Sequence, residues 1–581
     1  MTDLPFTEKP RLVNAGQGFS ILKTVEYKNR FLYSKYDPLK TITATIANMN
    51  LLPETLVIVC SPCLWYGLDQ LLEKLPARCM ILAIESDTEL FSLAQTELSQ
   101  KKATLSPEQC SCIHLLSVSS LEEVETFIRS NGGQGMLRRA VRIDFSAGTS
   151  FSPRTYDDIC DFAESTIAQF WKNRLTLTRL GRLYARNIFR NLSVLPLSYC
   201  LDNDISSIGR PILVCGAGEG LEHTLAQLCS ESSGRNIVHD YYILATDAAL
   251  PALVAHHITP DAVVGVECQA AIEKAYIGFG KSKIPLFADI TSRPQIGDIL
   301  GGNIVWFSTQ YTSARYLTRL HEDGIISEFI PPLGSVGLVA VYISLRIRRN
   351  ANVPVFVSGL DFSFTCGATH AKGTPAHLSR LSSSTRYVPV ENFDASFRTG
   401  AIALVGKNNK LVRTDAALQG YAALFKSYFL GTPNLFDAGP SGLDIGIPTA
   451  TGEVLFAAIV ADNKQLDALT TDSTPAVDCA MQKNLSHKIA RFYRKERHAL
   501  IALKDLLMNG DSSEYRDLTV SLNEQLIELL RDRDYLYIHF PDGYTLSTDV
   551  GFLKRIRAEI DFFLKDIDFA LARNHTLSLD E

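Results

Sequence analysis

The stretch ILVCGAGEGL, residues 212–221, decides how the fold of this chain is interpreted. Its first four residues are apolar, as in a buried strand, and leucines recur at helical spacing after the glycines. A strand that turns through glycines into a helix brings free backbone N–H groups and the positive end of the helix dipole to one point. The pattern predicts an anion-binding turn at Gly216, Gly218 and Gly220, with Glu219 facing solvent; an ordinary tight turn is the alternative.

The residues that follow alternate between short apolar runs and helical patterns. Such alternation predicts an α/β fold, a mainly parallel, doubly wound, Rossmann-like sheet. We place this central domain at residues 196–460. The predicted strands are 212–215, 241–245, 262–266, 285–288, 303–307 and 353–358.

The flanking segments predict two further domains. Residues 1–195 contain strands near 56–60 and 80–84 separated by a helix and ending at Glu85, the outline of a Rossmann-like α/β domain with connecting helices. The intervening turn has no glycine before Gly67, which argues against a nucleotide there. Residues 461–581 are predicted to form an all-α C-terminal domain, because apolar residues recur there near helical spacing.

Polar side chains gather where the predicted central strands end. Ligands of open α/β sheets bind beyond the carboxyl ends of the strands, although each such residue alone is also typical of a helix cap or turn. A Gly/Ser turn before an apolar helix predicts a second anion or ribose site, with a simple Ser N-cap as the alternative. The candidates are Thr246, Asp247, Glu267, Gln269, Asp361, Ser363 and His370 at strand ends, and Gly334, Ser335 and Gly337 at the second turn.

Composition excludes several classes of protein. With 46% hydrophobic and 21% charged residues, the 581-residue chain is expected to be globular, with several domains. A net charge of −6 without a basic block argues against nucleic acid as the main partner. We find neither a signal peptide nor an apolar run long enough for a membrane span, and expect a cytoplasmic protein with reduced thiols.

Familiar catalytic and metal motifs are missing from the sequence. There is no G-x-S-x-G, H-E-x-x-H or P-loop, and Cys60 and Cys63 are interpreted as buried apolar residues rather than as a metal or redox pair. Asp-x-Asp pairs occur at 202/204, 532/534 and 566/568, away from the predicted nucleotide-binding strand ends. We therefore assign no metal and no cofactor.

Several stretches, taken in order, resemble the motility accessory factor family of flagellin glycosyltransferases. Their central domain is similar to that of bacterial CMP-sialic-acid sialyltransferases. The resemblance covers about residues 30–450 and includes SKYDPLKTI, VGKNNKLVRT and NLFDAGPSGLDIG. Its main stretches are CGAGEGLEHTL, ILATDAALPALVAHHITPDAVVGVECQ, PLGSVGLVAVYISL and VFVSGLDFSFTCGATHAKG.

The resemblance implies a cytoplasmic enzyme that transfers a nonulosonic acid (pseudaminic, legionaminic or sialic-like) from a CMP-activated donor to Ser or Thr of flagellin. It also implies roles for particular residues. Those matching the nucleotide-phosphate turn are Gly216, Ala217, Gly218 and Gly220; those facing donor or acceptor are Asp247, Glu267 and Gln269; those of the cytidine-monophosphate turn are Gly334, Ser335 and Gly337; and those of the strand-end motif are Gly359, Asp361 and Ser363.

His370 stands where the sialyltransferases place a tyrosine that holds the leaving phosphate. The chain also departs from the family pattern. The usual Pro-Ser after the second glycine is Glu219-Gly220, and the late acidic-glycine motif reads DAGPSG at 437–442. Both departures affect how the donor would be held.

The expected chemistry needs a general base for the acceptor hydroxyl and groups that stabilise a departing phosphate. His370, His377, Asp247 and Asp361 are the candidate bases. Uncharged hydrogen-bond donors and helix N-termini can stabilise the departing phosphate, so we expect the reaction to need no divalent metal. Two alternatives stay open: diphosphate transfer from ATP, because an archaeal pterin diphosphokinase shares the central domain, and a non-enzymatic flagellin-binding chaperone.

Overall fold

A computed structural model describes most of the chain. The described residues are 9–15, 22–117, 121–130, 136–201, 208–229, 240–312, 314–450, 479–509 and 520–579. They form two compact units: Met1–Arg179 with Phe540–Thr545, and Leu180–His539 with Leu546–Glu581. The three-domain division at 195 and 460 stays a prediction. No described helix combines the length and the apolar character that crossing a bilayer requires.

The first unit contains a parallel four-stranded sheet and an antiparallel three-stranded one. The parallel sheet has the order β6-β5-β4-β7, and its two central strands are buried throughout, which explains their continuous apolar runs. The strands are β1 (Arg11–Ala15), β2 (Leu22–Tyr27), β3 (Arg30–Phe31), β4 (Thr55–Cys60), β5 (Met80–Glu85), β6 (Ile113–Ser117) and β7 (Arg139–Asp144). The helices are α1 (Lys40–Asn48), α2 (Leu68–Lys74), α3 (Thr88–Lys102), α4 (Pro107–Ser111), α5 (Leu121–Ser130) and α6 (Pro153–Leu192), the last of which continues into the second unit.

The second unit is built on a parallel sheet. Its order is β14-β13-β12-β11-β10-β9-β15-β18, with β8 paired to β13. A separate antiparallel hairpin pairs β16 with β17. The strands are β8 (Tyr199–Cys200), β9 (Ile212–Cys215), β10 (Tyr242–Thr246), β11 (Ala262–Gly265), β12 (Leu286–Asp289), β13 (Ile304–Thr309), β14 (Phe329–Ile330), β15 (Val355–Ser358), β16 (Ile402–Val405), β17 (Leu411–Thr414) and β18 (Leu435–Asp437).

Helices cover the central sheet, and a helical region follows it. In α11 almost every residue is apolar because the helix is buried against the sheet. The helices are α7 (Gly220–Cys229), α8 (Leu250–Ala255), α9 (Gln295–Leu300), α10 (Arg315–Glu322), α11 (Val336–Ile347), α12 (Pro375–Ser383), α13 (Phe393–Phe397), α14 (Ala416–Phe429), α15 (Cys479–Asn509), α16 (Val520–Arg531) and α17 (Val550–Leu579).

The predicted fold class is confirmed. All six predicted central strands exist within two residues of their expected bounds, they are parallel, and the C-terminal region is helical. The short strands β8, β14 and β18 and the β16–β17 hairpin were not predicted. Of the Asp-x-Asp pairs, 202/204 lies outside the described residues. Asp534 accepts the backbone N–H groups that begin α10, and Asp566 pairs with Arg190.

Candidate functional site

The strand order of the central sheet reverses between β9 and β15. These two strands are direct neighbours, with Cys215 opposite Ser358, and the chain leads from β9 to β10 on one side and from β15 to β18 on the other. In open α/β sheets such a reversal opens a crevice at the carboxyl ends of the strands, where ligands bind. The glycine turn 216–220 and the segment 359–363 both start there.

At this reversal the glycine turn is packed tightly against the segment after β15. Gly216 N–H donates to Ser358 O at 2.7 Å, and Gly218 N–H donates to Gly359 O at 2.9 Å. A Cβ atom on Gly218 would lie 2.5 Å from Asp361 Oδ2, and one on Gly220 would overlap Asp361 Oδ1. The protein's own chain therefore accounts for these glycines; their contact with a nucleotide phosphate stays a prediction.

Asp361 caps helix α7 from a distance of 141 residues in sequence. Its Oδ2 accepts the N–H of Gly220, the first residue of the helix, at 2.7 Å. The carboxyl group is fully buried, and burial raises its pKa to about 7 despite this hydrogen bond and the nearby Lys407. A carboxyl group thus holds the end of the helix that was predicted to receive a phosphate.

The residues around the turn contradict one expectation. Glu219 is half-buried rather than turned fully to solvent: its Oε2 accepts hydrogen bonds from Thr365 N–H at 3.3 Å and Thr365 Oγ1 at 2.6 Å. The prediction considered only repulsion from a phosphate, whereas the strand-end segment supplies donors that satisfy the carboxylate. Lys372 N–H likewise donates to Glu222 Oε1 at 2.7 Å. Residues 365–372 are therefore held against the start of α7.

An ion pair lies beside Asp361, and no sequence motif predicted it. Lys407 Nζ pairs with Asp437, and both side chains are almost completely buried. Asp437 Oδ1 also accepts Gly439 N–H at 2.9 Å, within the acidic-glycine stretch 437–442. Burial raises the pKa of Asp437, and Lys407 opposes that shift. Lys407 is a cation beside the strand reversal that sequence reasoning missed.

A second group of candidates lies at the end of β10. Thr246 Oγ1 donates to Cys215 O at 3.2 Å, which ties β10 to β9 and leaves this hydroxyl with a structural contact. Asp247 Oδ1 accepts Ala248 N–H at 2.7 Å, while its Oδ2 is buried without a hydrogen-bond partner among the described residues. Burial, opposed by the Ala248 bond and reinforced by Glu267, raises the pKa of Asp247 to about 7.

His370 lines a cavity of about 170 Å³. Ala248, the residue after Asp247, lines the same cavity. The other walls are small or apolar, and they come from the 3₁₀ helix Ala270–Tyr276 and the start of α12. His370 as a whole residue is exposed, but partial burial of its imidazole lowers the pKa of the ring below its usual value, so the ring is largely neutral at pH 7. Its Nδ1 lies 3.1 Å from Thr369 Oγ1. The structure therefore brings His370 and the end of β10 together.

The candidates after β11 lie at the same edge with different exposure. Glu267 is half-buried and accepts Gln269 N–H at 2.9 Å, while Gln269 itself is exposed. One strand further, Asp289 is buried and accepts hydrogen bonds from both Thr291 and Thr309. Asp289 is thus a satisfied structural carboxylate, and its strand-end position alone would not have distinguished it from Asp247.

Tyr276 is a further residue that sequence reasoning missed. Its hydroxyl is buried, has no hydrogen-bond partner among the described residues, and lies 3.3 Å from the position of a Cβ on Gly265. Burial, with the charge of Asp247 as a second cause, raises the pKa of this phenol. No motif marks the residue, because its place follows from how the 3₁₀ helix folds back onto β11.

The second predicted turn also reaches the strand reversal. Gly334 has φ +69° and is exposed, Ser335 begins α11 without a capping side-chain hydrogen bond, and a Cβ on Gly337 would clash with Leu360. The first N–H groups of α11 therefore lack a Ser cap. Ser363, by contrast, is buried and donates to Asp361 O at 3.1 Å, which makes it part of the strand-end turn.

The turn after β4 in the first unit is filled by a polar network. Ser61 donates to Glu85 Oε2 at 2.8 Å, Tyr156 donates to Glu85 Oε1 at 2.8 Å, and Ser146 donates to Ser61 at 2.9 Å. Burial raises the pKa of Cys63 to about 12, so its thiol stays protonated. Glu85, at the end of β5, therefore accepts hydrogen bonds from side chains of the protein itself.

The site offers two distinct sets of groups. Asp361, Lys407 and Asp437 lie at the β9–β15 reversal, and Asp247 with His370 lies at the end of β10. Two carboxyl groups with pKa values of about 7 and one neutral imidazole are suited to proton transfer near neutral pH. The described residues contain no cluster of three or more His, Cys, Asp or Glu side chains that could hold a metal ion.

Comparisons with known proteins give three findings. Residues 184–367 match a family described as 6-hydroxymethylpterin diphosphokinase MptE-like. A protein of Treponema pallidum (strain Nichols), described as uncharacterized, is 31% identical over 570 residues, which are 96% of this chain and 94% of that protein. The solved structure of the MAf glycosyltransferase from Magnetospirillum magneticum AMB-1 is similar over 97% of this chain and 93% of that one, with a TM-score of 0.49 and 14% identity.

Proposed function

The chain belongs to the same family as the Treponema pallidum protein, and we propose that it is a glycosyltransferase. In this proposal it moves a nonulosonic acid from a CMP-activated sugar to a Ser or Thr hydroxyl of flagellin in the cytoplasm. The ordered motifs shared with motility accessory factors support the donor and the acceptor. One structural observation carries the chemistry: a neutral imidazole, His370, lines a cavity at the carboxyl edge of the sheet.

The proposed reaction breaks the bond between the anomeric carbon and the phosphate oxygen of CMP. The acceptor oxygen forms the new bond to that carbon, CMP leaves with the electron pair, and the acceptor proton passes to a base. His370 is the first choice for this base, because a neutral imidazole accepts a proton readily and the residue lines the cavity. Asp247 is the second, since a pKa of about 7 leaves it partly ionised at neutral pH.

The start of α11 is the proposed site for the departing phosphate. Its free N–H groups and the positive end of its dipole oppose the developing negative charge. Gly334 and Ser335 are accessible there, whereas the start of α7 is already held by Asp361. Of the two predicted anion turns, the second is therefore the better candidate for the cytidine monophosphate.

Calorimetric titration in EDTA tests the donor class. CMP is the probe, and CDP, ATP and GTP are the controls. We expect CMP to bind selectively without a divalent metal. Equal affinity for all four nucleotides would contradict a CMP-sugar transferase.

Replacement of His370 tests the proposed base. His370→Ala should lower the turnover of CMP-sugar with flagellin by about 10²–10⁴-fold, and leave the melting temperature nearly unchanged because the residue is exposed. His223→Ala, at an exposed position of α7, is the matched control. Wild-type turnover in His370→Ala would move the role of base to Asp247.

Diphosphate transfer from ATP is the second candidate function. The family match over residues 184–367 favours it, because that family is described by a diphosphokinase. Such chemistry is expected to need Mg²⁺ to bridge the phosphates. Release of AMP from ATP in the presence of a pterin and Mg²⁺, abolished by EDTA, would favour this candidate over sugar transfer.

A further inference from the structure

The segment between the cavity and α14 exposes an unusual amount of apolar surface. We call residues 374–411 the apolar insert. Among the described residues 24 large apolar side chains are exposed, and ten of them lie in this stretch of the chain. They are Leu378, Leu381, Tyr387, Val388, Phe393, Phe397, Ile402, Leu404, Val405 and Leu411. Exposed apolar side chains concentrated in one segment are typical of a protein-binding site.

The apolar insert is held in place by hydrogen bonds. Arg380 in α12 donates to Val390 O and Glu391 O, both at 2.8 Å, which fixes the loop after the helix. Asn392 N–H donates to Gly367 O at 2.7 Å, and Gly367 N–H donates to Ser396 Oγ at 3.0 Å. The side chains are therefore presented to solvent by an ordered backbone.

The hairpin of the insert has a free edge. All four residues of β16 are exposed, and β16 pairs with β17 along one side only among the described strands. The other side of β17 is occupied, because Arg413 and Phe364 exchange backbone hydrogen bonds. The sequence of β16, Ile-Ala-Leu-Val, contains neither the charges nor the proline that usually protect an edge strand. Such an edge can accept an extended segment of another chain.

The insert is continuous with the candidate site. Its first residues, Thr374, Pro375 and Ala376, form the wall of the cavity that His370 also lines. Helix α12 begins at Pro375, and the exposed Leu378 and Leu381 follow on the same helix. A polypeptide lying along the exposed side of α12 would therefore begin next to the cavity.

Charge distinguishes between possible occupants. Apart from Lys407, which is buried and paired with Asp437, the insert carries four basic residues, one of them paired with Asp415, and two acidic residues, whereas the whole chain has a net charge of −6. Two copies that met through this surface would bring like charges together, which opposes self-association. A different polypeptide with apolar side chains and a net negative charge would match the surface in both respects.

We propose that the apolar insert is the docking surface for the protein acceptor. An extended, apolar and acidic segment of the acceptor adds to the free edge of β16, and its hydroxyl-bearing residue reaches the cavity beside His370. This inference rests on the proposed function, since it assumes that the substrate of the cavity is a protein.

Variants that introduce negative charges on the insert provide the test. Val405→Asp with Phe397→Asp replaces two side chains that are 68% and 65% exposed, so folding should be preserved. Phe569→Asp, at a position 57% exposed on α17, is the matched control. Full-length proteins are compared for affinity to flagellin monomers, for affinity to CMP, and for the KM and kcat of transfer.

We expect the double variant to bind flagellin at least about tenfold more weakly, a loss of about 1.4 kcal/mol in binding free energy, because both changes remove apolar anchor residues of the interface. KM for flagellin should rise accordingly, and the affinity for CMP and the behaviour of Phe569→Asp should stay those of the wild type. Wild-type flagellin affinity and KM in the double variant would overturn the inference.

Two other results separate this inference from the proposed function. A wild-type protein that fails to bind CMP or transfer sugar, yet binds flagellin through the insert, supports the docking surface and favours a chaperone over a transferase. A double variant that changes from dimer to monomer in sedimentation, with unchanged flagellin affinity, overturns the inference, because the surface then binds a second copy.

Discussion

A single carboxyl group, that of Asp361, determines which residues fit at the start of α7. It hydrogen-bonds Gly220 N–H, and its two oxygens occupy the space where side chains at positions 218 and 220 would begin. The sequence predicted an anion-binding turn at these glycines, with an ordinary tight turn as the alternative; the close packing fits the tight turn, and anion binding stays a prediction. The group that packs against the glycines, the Asp361 carboxyl, lies 141 residues further along the chain, so no local pattern could predict the contact.

Gly220→Ala should destabilise the protein by about 2–3 kcal/mol, because the new methyl group overlaps Asp361 Oδ1 in a packed interior. The double variant with Asp361→Ala should cost at least about 1 kcal/mol less than the sum of the two single changes. Denaturant unfolding measures both. Gly420→Ala is the control, since nothing lies within 4 Å of its added Cβ; additive single costs would refute the contact.

Asp247 should make stability depend on pH. Its pKa is about 7 in the folded protein and near 4 when unfolded, so the folded state binds the proton more tightly. Protonation therefore stabilises the fold at low pH, and this contribution is lost as the pH rises through the range from about 4 to about 7. The wild type should lose stability over that range.

Asp247→Asn should lose about 1–3 kcal/mol less stability between pH 5 and pH 8 than the wild type. The criterion is the difference between the two proteins in the slope of stability against pH. The stability difference at a single pH is not used, because the amide also alters hydrogen bonding. Melting temperatures at four pH values give that slope. Asp323→Asn, at an exposed position, should follow the wild-type curve, and parallel curves for Asp247→Asn would contradict the raised pKa.

At the scale of the element, a buried ion cluster joins helices within the second unit. Glu496 of α15 is completely buried and pairs with Arg319 of α10 at 2.6 Å and with Arg533 at 3.3 Å. Tyr535 donates to its Oε2 at 2.8 Å. Apolar spacing predicted the helices, but it gave no sign that a glutamate on α15 would be their meeting point.

Glu496→Gln should destabilise the second unit by about 3–5 kcal/mol, because the buried Arg533 and the partly buried Arg319 lose their counter-charge. Guanidinium-induced unfolding followed by circular dichroism measures the loss. Asp568→Asn removes the neighbouring exposed pair with Arg497 and should cost less than about 1 kcal/mol. Similar losses in the two variants would show that the buried cluster contributes no more than a surface pair.

Elements were predictable where their environment is uniform. The central strands are buried on both faces, so continuous apolar runs identified them. The strand β16 has the same kind of composition, yet all its residues are exposed. An apolar composition shows that a strand could be buried. Only the sheet topology determines whether another element packs over it. The hairpin was therefore missed, together with the surface that it forms.

For the whole molecule, the sequence predicted which strand ends carry polar residues, because parallel strands deliver their carboxyl ends to one edge. The sequence did not predict which of these polar residues lie close together in the structure. Asp247 lies beside the cavity lined by His370, whereas Asp361 and Asp437 share Lys407 at the strand reversal. That separation depends on side-chain contacts between segments far apart in the chain.

The distribution of thiols provides a test of the whole structure. Among the eleven described cysteines only Cys229 and Cys366 are exposed. In the native protein these two should react fast with Ellman's reagent, and Cys229→Ser with Cys366→Ser should remove two fast equivalents. All twelve cysteines should react after denaturation. An unchanged fast phase in the double variant would mean that other thiols are accessible.

The contact between Asp361 and the glycines also constrains how this family evolves. While a carboxylate stands at position 361, a side chain at 218 or 220 would overlap it, and the loss of the carboxylate would remove that obstacle. The three positions should therefore vary together across descendants, with aspartate and glycine retained jointly or lost jointly. A lineage that kept the glycines but lost the aspartate would have exposed the start of α7, and it would be the place to look for a newly acquired anion-binding site.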